Sequence, residues 1–186
     1  MRSSVSDRST EELAAAGYVR ERTSERELRV GWRDPLASLG ALAGLSGLEA
    51  MQKIAAGEVP PPPIAVLLGF GVYEVENGRA LFYGEPGEEH YNPIGVVHGG
   101  LAATLLDSCM GCAVHTTLEL KVNFVRPISR DTGRIAAEGR VIHRGGQVAT
   151  VEGELRSESD NKLLAHGTST CLIIGEPKTA RHNGSG

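Results

Sequence analysis

Apolar positions recur at helical spacing behind Asp34 and Pro35, a pair of residue types that commonly starts a helix. The spacing continues until Gly57 and predicts a helix over 35–55. The run of prolines that follows, 60–63, predicts extended chain because proline fixes its own backbone angle and disfavours helix in the residue before it.

Two strands are predicted over 64–84, where apolar runs flank Asn77-Gly78, a dipeptide typical of hairpin turns. A loop rich in glycine and proline follows over 85–97. The stretch 98–114 is apolar on nearly every side, so it predicts a helix that lies in the middle of the protein.

Four further strands are predicted near 117–124, 132–143, 147–157 and 162–174. The first alternates strictly and places four apolar residues on one half-buried face: Leu118, Leu120, Val122 and Phe124. Short turns between the strands favour antiparallel pairing, since a parallel pair needs a long crossover. The expected fold is α+β, with one curved antiparallel sheet wrapped around a central apolar helix.

The domain organisation follows from length and polarity. The chain has 186 residues, of which 40% are hydrophobic, enough to bury one core. We expect a polar segment over 1–33, which is either flexible or packed on a neighbouring subunit. A single domain is expected over 34–176 and a flexible tail over 177–186.

Composition excludes several classes of partner. A net charge of −4 and an aromatic content of 4% argue against nucleic-acid binding, which needs basic clusters and stacking rings. The sequence lacks a signal-peptide core and an apolar run long enough to cross a membrane. We therefore expect a cytoplasmic protein without a nucleic-acid or membrane partner.

Cys109 and Cys112 form a Cys-x-x-Cys pair late in the apolar helix. A redox pair normally sits at an exposed helix N-terminus, and a structural zinc site needs a second pair of ligands. The position favours core packing of these thiols, and no metal site is predicted.

Asp107 is the one carboxylate within the predicted buried helix, which begins at His98-Gly99-Gly100. An unpaired buried carboxylate is costly to ionise, so its presence favours a functional role. A structural hydrogen-bond acceptor is the alternative, and the residues alone leave both open.

A family resemblance appears when four features are taken in order: Asn92, His98-Gly99-Gly100, Asp107 and Thr117. Their order and spacing resemble the hotdog-fold acyl-CoA thioesterases of the phenylacetate-degradation (PaaI-like) type. The resemblance covers roughly 48–174, including the runs 90–100 and 117–127. It implies the hotdog fold and hydrolysis of an acyl-CoA to free acid and CoA, with no cofactor beyond the CoA of the substrate.

The resemblance also implies roles for the helix residues. The Gly99 N–H would polarise the thioester carbonyl with support from Gly100, which suits the free N–H groups and positive dipole of a helix start. Asp107 would act as general base for water or as nucleophile; we favour the water route. His98 would hold the loop that presents Gly99.

Two polar residues have weaker assignments. Asn92 resembles the family's amide near the thioester or its water, and Thr117 its water-orienting hydroxyl. The plain alternatives are a turn-forming Asn and a strand-forming Thr. Only His115 and Thr116 separate the helix from the next strand, a shorter connection than the family usually has, so the placement of Thr117 depends on this connection.

Helix geometry predicts the assembly. Gly99 and Asp107 are eight positions apart, about 12 Å along a helix axis, so they cannot meet on one thioester. The base must come from a second chain packed antiparallel, which predicts a homodimer with shared sites. We also expect two such dimers to form a tetramer.

The CoA half of the substrate would meet the turn His143-Arg144-Gly145-Gly146, whose backbone N–H groups and forked guanidinium suit phosphate. A hairpin turn with a solvated arginine is the alternative. Two other functions stay open: an acyl-thioester hydratase or dehydratase that uses His98, and a non-catalytic acyl-CoA binding or sensing module.

Overall fold

The computed structural model describes residues 19–114 and 116–173. The predictions for the first 18 residues, for His115 and for the tail over 177–186 lie outside these described residues. The helices are α1 (Pro35–Leu42), α2 (Gly47–Ala56), α3 (Pro63–Leu68) and α4 (Gly99–Cys112). The strands are β1 (Val19–Ser24), β2 (Glu27–Gly31), β3 (Phe70–Glu76), β4 (Arg79–Gly84), β5 (Thr116–Phe124), β6 (Ile135–Arg144), β7 (Val148–Ser157) and β8 (Leu163–Leu172).

The architecture is a six-stranded antiparallel sheet packed on the central helix α4. The strand order is β3-β4-β6-β7-β8-β5, and every neighbouring pair is antiparallel. Helix α4 supplies the largest part of the core, with Leu105, Leu106 and Met110 fully buried. This confirms the α+β architecture predicted from the apolar pattern, and with it the hotdog fold that the family resemblance implied.

A row of glycines lets α4 approach the sheet. Gly139, Gly153 and Gly167 are register partners across β6, β7 and β8. A Cβ at Gly139 would lie 2.5 Å from the carbonyl oxygen of Cys109, and one at Gly153 would lie 2.9 Å from Cγ of Met110. These distances are too short for any side chain, so the helix packs directly on the backbone of the sheet.

The region before the sheet differs from the prediction. The single helix over 35–55 is in fact α1 and α2, because Gly44 takes a left-handed conformation with φ of +81° and Ser46 starts α2 with a capping box to Glu49. The first part of the strand predicted from 64 onward is the short helix α3, whose Pro63 occupies the first turn, where no backbone N–H is needed.

Strand β5 also departs from strict alternation. Its register to β8 shifts between Thr117 and Glu119, which leaves Leu118 58% exposed while Leu120 and Val122 pack against the core. Phe124 is 60% exposed although its ring contacts the start of α4. The prediction of one half-buried face is therefore wrong for Leu118 and Phe124.

Residues 19–31, for which the sequence predicted no element, form the hairpin β1–β2. Its arginines form ion pairs with Glu88 and Glu89, in the 3-10 turn Glu88–His90 ahead of α4. Within the described part of the chain, no helix is long and apolar enough to span a membrane.

Candidate active site

The first turn of α4 presents one backbone donor. His98 is the N-cap residue, and its Nδ1 accepts the N–H of Gly100 over 2.8 Å. The N–H of Gly99 meets no acceptor among residues 19–114 and 116–173. The structure thus separates the two glycines: Gly100 is engaged by the cap, and Gly99 has a free N–H at the positive end of the helix.

The cap itself is held by the backbone. The N–H of His98 donates to the carbonyl of His90 over 2.7 Å, and the N–H of Val97 donates to the carbonyl of Ile128 over 2.8 Å. Because Nδ1 of His98 accepts a hydrogen bond, the proton of its neutral ring is on Nε2. His98 therefore links the loop before α4 to the first turn of the helix, next to Gly99.

A groove of about 600 Å³ opens beside this helix start. Its lining includes His98, Gly99 and the apolar side chains of Phe124, Ile128 and Leu164. An ideal Cβ at Gly99 would lie 2.9 Å from Cζ of Phe124, so a side chain at this position would push the ring aside. The groove combines an apolar wall with one free N–H donor, which suits a carbonyl attached to an apolar group.

Asp107 lies two turns further along α4, on the helix face that is only half buried. The hydroxyl of Thr117 donates to Oδ1 of Asp107 over 2.7 Å. Oδ2 has no hydrogen-bond partner in the described part of the chain. The expectation of a fully buried carboxylate is wrong, since the stripe of Ala103, Thr104, Asp107 and Ser108 faces away from the core.

Gly99 and Asp107 lie on one continuous helix, because α4 runs unbroken from Gly99 to Cys112. Their separation is therefore about 12 Å along the axis. The structure brings Asp107 together with Thr117, and Gly99 together with His98 and Phe124, but it does not bring the two groups together within one chain.

Asn92 has a structural role in the loop before α4. Its Oδ1 accepts the N–H groups of Ile94 over 3.1 Å and of Val96 over 3.3 Å. These bonds close a turn in which Gly95 has φ of +80°. The side-chain NH₂ of Asn92 has no acceptor among the described residues, so it is the part of this amide that can still bind a ligand.

The turn proposed for CoA lies elsewhere. Arg144 is exposed and lines a separate cavity of about 370 Å³, together with Cys112 at the C-terminal end of α4 and Ser46 at the start of α2. The N–H of Gly145 closes the turn by donating to the carbonyl of Val148 over 2.9 Å, and His143 and Gly146 are exposed beside it. Within one chain, this turn and Gly99 do not share a cavity.

The two helix cysteines are free thiols. Burial raises the pKa of Cys109 strongly, and its Sγ donates to the carbonyl of Leu106 over 3.3 Å. Burial, followed by the charge of Asp107, raises the pKa of Cys112 to about 12. Neither thiol is therefore a thiolate near neutral pH, in agreement with core packing. No cluster of three metal-ligating side chains occurs in the described ranges 19–114 and 116–173.

Sequence reasoning missed Phe124 as part of the site. It was assigned to a buried strand face, whereas its ring covers the Gly99 position at the end of β5. Strand alternation alone could not find this contact, because it depends on where the helix start meets the strand end.

Comparisons with known proteins agree with this architecture. A sequence profile of the thioesterase superfamily matches residues 94–164. A protein of Saccharolobus solfataricus that carries the name of an esterase is 33% identical over 111 residues, 55% of this chain and 77% of that protein. A 1,4-dihydroxy-2-naphthoyl-CoA hydrolase of Listeria monocytogenes is 26% identical over 118 residues, 60% of this chain and 94% of that enzyme.

A solved structure extends the similarity to the fold. The phenylacetic acid degradation-related protein of Ralstonia eutropha JMP134 matches with a TM-score of 0.58 and 29% identity, covering 66% of this chain and 98% of that chain. The superfamily profile spans α4 and the strands β5, β6 and β7, and the 33% identical relative is matched over most of its length. The chain therefore belongs to the thioesterase superfamily and is a thioester hydrolase of the PaaI-like type.

Proposed function

We propose that this chain hydrolyses acyl-CoA thioesters at sites shared between the two subunits of a homodimer. In each site, the N–H of Gly99 polarises the thioester carbonyl and Asp107 of the partner subunit activates the water. The observation that carries this proposal is the free N–H of Gly99 at the positive end of α4, where Gly99 lines an apolar groove.

The reaction balances with these groups. Asp107 takes a proton from water as the water oxygen attacks the thioester carbon, and the Gly99 N–H binds the resulting oxyanion. The tetrahedral intermediate then collapses, the C–S bond breaks, and the CoA sulfur receives the proton from Asp107. The products are a carboxylic acid and free CoA.

Thr117 supports the water route over direct attack by the carboxylate. Its hydroxyl occupies Oδ1 of Asp107 and fixes the carboxylate orientation, while Oδ2 is left to accept a proton. Direct attack would form a mixed anhydride between Asp107 and the acyl group. A single turnover in ¹⁸O-labelled water separates the two routes. The water route puts ¹⁸O into the product acid, whereas hydrolysis of the anhydride at the Asp107 carboxyl carbon puts ¹⁸O into Asp107 and leaves the first product unlabelled.

The antiparallel dimer also accounts for Arg144. Arg144 lines the same cavity as Cys112. Cys112 is the last residue of α4 and lies five positions after Asp107. An antiparallel pair of α4 helices brings that end of one subunit to the Gly99 groove of the other. Asp107 and Arg144 then reach the substrate from the same subunit, the carboxylate at the thioester and the guanidinium at the CoA phosphates. A tetramer of two such dimers is our expectation for the full assembly.

Similarity to the Listeria hydrolase, which is named for a naphthoyl-CoA and is matched over most of its length, supports CoA thioesters as the substrates of this chain. Nothing at His98 favours the hydratase alternative, since its Nδ1 is engaged with Gly100. The test is release of free CoA thiol from a panel of acyl-CoAs, followed with a thiol reagent. Release from at least one acyl-CoA supports the proposal, and no release above a buffer control from any of them contradicts it.

A further inference from the structure

A cluster of charges joins the hairpin β1–β2 to the loop ahead of α4. Arg20 and Arg22 each donate to the Glu89 carboxylate over 2.7 Å, one to each oxygen. Arg26 donates to Glu88 over 3.0 Å. The hairpin thus holds both acidic residues of the 3-10 turn Glu88–His90.

The arginine at the centre of the cluster is well packed. The guanidinium of Arg20 lies over the backbone of Gly69, at a spot where any side chain would collide with it. Burial lowers the pKa of Arg20 although Glu89 acts in the opposite direction. Burial also disfavours the charged form of Glu89 and by itself would raise its pKa. Hydrogen bonds from a backbone N–H and from Arg22 have a larger opposite effect, so the pKa of Glu89 lies below its usual range. Both groups are therefore charged and held at neutral pH.

A short chain of hydrogen bonds leads from this turn to the helix start. The side chain of His90 closes the turn by accepting the N–H of Gly87 over 2.9 Å. The carbonyl of His90 accepts the N–H of His98 over 2.7 Å, and Nδ1 of His98 accepts the N–H of Gly100. Displacement of the turn would therefore move the N-cap and, with it, the free N–H of Gly99.

From these contacts we infer that the hairpin β1–β2 is a brace for the active site, in which Arg20 and Arg22 position the Gly99 N–H through Glu89, His90 and His98. The inference rests on the proposed function, because it assigns the Gly99 N–H to the oxyanion. Glu89 and the two arginines are positioning residues: they contact the turn and have no place in the groove itself.

A brace differs from an ordinary surface ion pair in what its loss changes. The hairpin and Glu89 both precede the region matched by the superfamily profile, which begins at residue 94. Partly exposed ion pairs contribute little to the free energy of unfolding. We therefore expect the loss of this pair to change the position of the Gly99 N–H more than the stability of the fold. An error of about 1 Å at a reacting group is enough to lower turnover substantially.

The test compares Glu89→Gln with a matched control, Glu154→Gln. Glu154 also pairs with an arginine, Arg156, over 2.9 Å, and it lies on the opposite side of the sheet from α4. Both substitutions remove one charge and keep the side-chain shape. We would measure kcat and KM for an acyl-CoA substrate, thermal unfolding, and hydrogen exchange of the His98 amide by NMR, all on the full chain well below its unfolding temperature.

The brace predicts that Glu89→Gln lowers kcat about tenfold, changes KM less than about twofold, and speeds exchange of the His98 amide. Glu154→Gln changes none of these. Raised salt should lower the wild-type kcat towards that of Glu89→Gln, because the ions screen the same pairs. Adding Arg22→Gln to Glu89→Gln should cause no further loss, whereas Arg22→Lys alone should retain activity.

Unchanged His98 exchange in Glu89→Gln overturns the brace, and so does faster exchange with unchanged kcat. A loss of kcat that Glu154→Gln shares also overturns it, since the effect is then one of general charge. A different result would show that the proposed function itself is wrong. In that case Asp107→Asn would keep full turnover, and this result does not depend on how fast the His98 amide exchanges in Glu89→Gln.

Discussion

The hydroxyl of Thr117 donates to Oδ1 of Asp107 over 2.7 Å, and this bond joins the first residues of β5 to the middle of α4. It gives the carboxylate one fixed oxygen and one free oxygen. The same contact passes close to Gly111, where a Cβ would lie 3.4 Å from the Thr117 hydroxyl. In the mechanism that we propose, this strand residue and this helix residue together form the group that accepts the proton from water.

Replacing this hydroxyl should slow catalysis without unfolding the protein. Thr117→Val keeps the side-chain shape but removes the donor, so the carboxylate loses its fixed orientation, and we expect kcat to fall about tenfold. Thr117→Ser keeps the donor and should retain most activity. Steady-state kinetics on both variants, with circular dichroism to check the fold, would measure this. Equal activity in Thr117→Val and wild type would remove Thr117 from the site.

The contact between Gly99 and Phe124 predicts a substitution that can be rescued. Gly99→Ala keeps the backbone N–H but adds a Cβ that displaces the Phe124 ring, which lines the groove. We expect kcat/KM to fall about tenfold with little change in unfolding temperature, because the ring is exposed and free to move. Adding Phe124→Ala should restore part of the loss. If Phe124→Ala makes no difference to Gly99→Ala, the ring is not the cause.

Arg144 should act on the nucleotide end of the substrate. Arg144→Ala should weaken binding of an acyl-CoA more than binding of the matching acyl-pantetheine, which lacks the nucleotide phosphates. Higher salt should reduce the effect of Arg144→Ala on acyl-CoA binding, because salt also screens the charge of the wild-type arginine. The two substrates should then be affected more equally. KM values for the two substrates at low and high salt would show this. Equal losses for both substrates would place Arg144 outside the CoA site.

His90 should make the fold sensitive to acid. Burial lowers its pKa, with Glu89 acting in the opposite direction, so the folded protein holds this ring neutral. The unfolded chain binds a proton at about pH 6.5, so the stability that His90 contributes is complete above that pH and is lost as the pH falls towards the lowered value. Urea unfolding at several pH values between 8 and 5 would measure how steeply the free energy of unfolding falls with pH.

The matched variant for this slope is His90→Asn, whose amide oxygen can still accept the N–H of Gly87 but does not titrate. It should flatten the loss of unfolding free energy at low pH. His166→Asn, at an exposed position on β8, should leave the slope as in wild type. Equal slopes in wild type and His90→Asn would contradict the assignment.

The sequence predicted those parts of the fold that depend on local pattern. The helix around Asp107 and the strands after it follow from the spacing of apolar residues, and the register of Gly139, Gly153 and Gly167 explains why such a helix fits against them. The break between α1 and α2 was missed, because Ser46 and Gly44 act through backbone geometry that an apolar pattern does not contain.

The contacts around the site were less predictable because they join distant parts of the chain. No periodicity pairs Arg20 with Glu89, which are 69 positions apart, and none places Phe124 over Gly99. The family resemblance assigned a water-orienting hydroxyl to Thr117, but nothing in the sequence predicted its hydrogen bond to Asp107. The engagement of the Gly100 N–H by His98 could not be seen without coordinates.

The central claim is that each site combines the Gly99 N–H of one subunit with Asp107 of the other. It calls for two chains that are inactive alone. Asp107→Asn removes the proton acceptor and should lower turnover roughly 10²–10⁴-fold. Gly99→Pro removes the oxyanion donor and should cost roughly 10²–10³-fold. The backbone at this position accepts proline, which is common at the first position of a helix, and His98 before it is already extended, with ψ of 135°. The proline ring also meets the Phe124 ring, so Gly99→Ala, which makes the same contact but keeps the N–H, is the control.

The most direct measurement is the activity of dimers that combine one Asp107→Asn chain with one Gly99→Pro chain. Such a mixed dimer has one doubly damaged site and one intact site. Random reassortment makes about half of all dimers mixed, so about a quarter of wild-type activity should return. Co-expression with two different tags isolates the mixed species, which should have about half of wild-type activity. Verified mixed dimers that stay inactive, while both parent dimers remain folded, would contradict a site built across the interface.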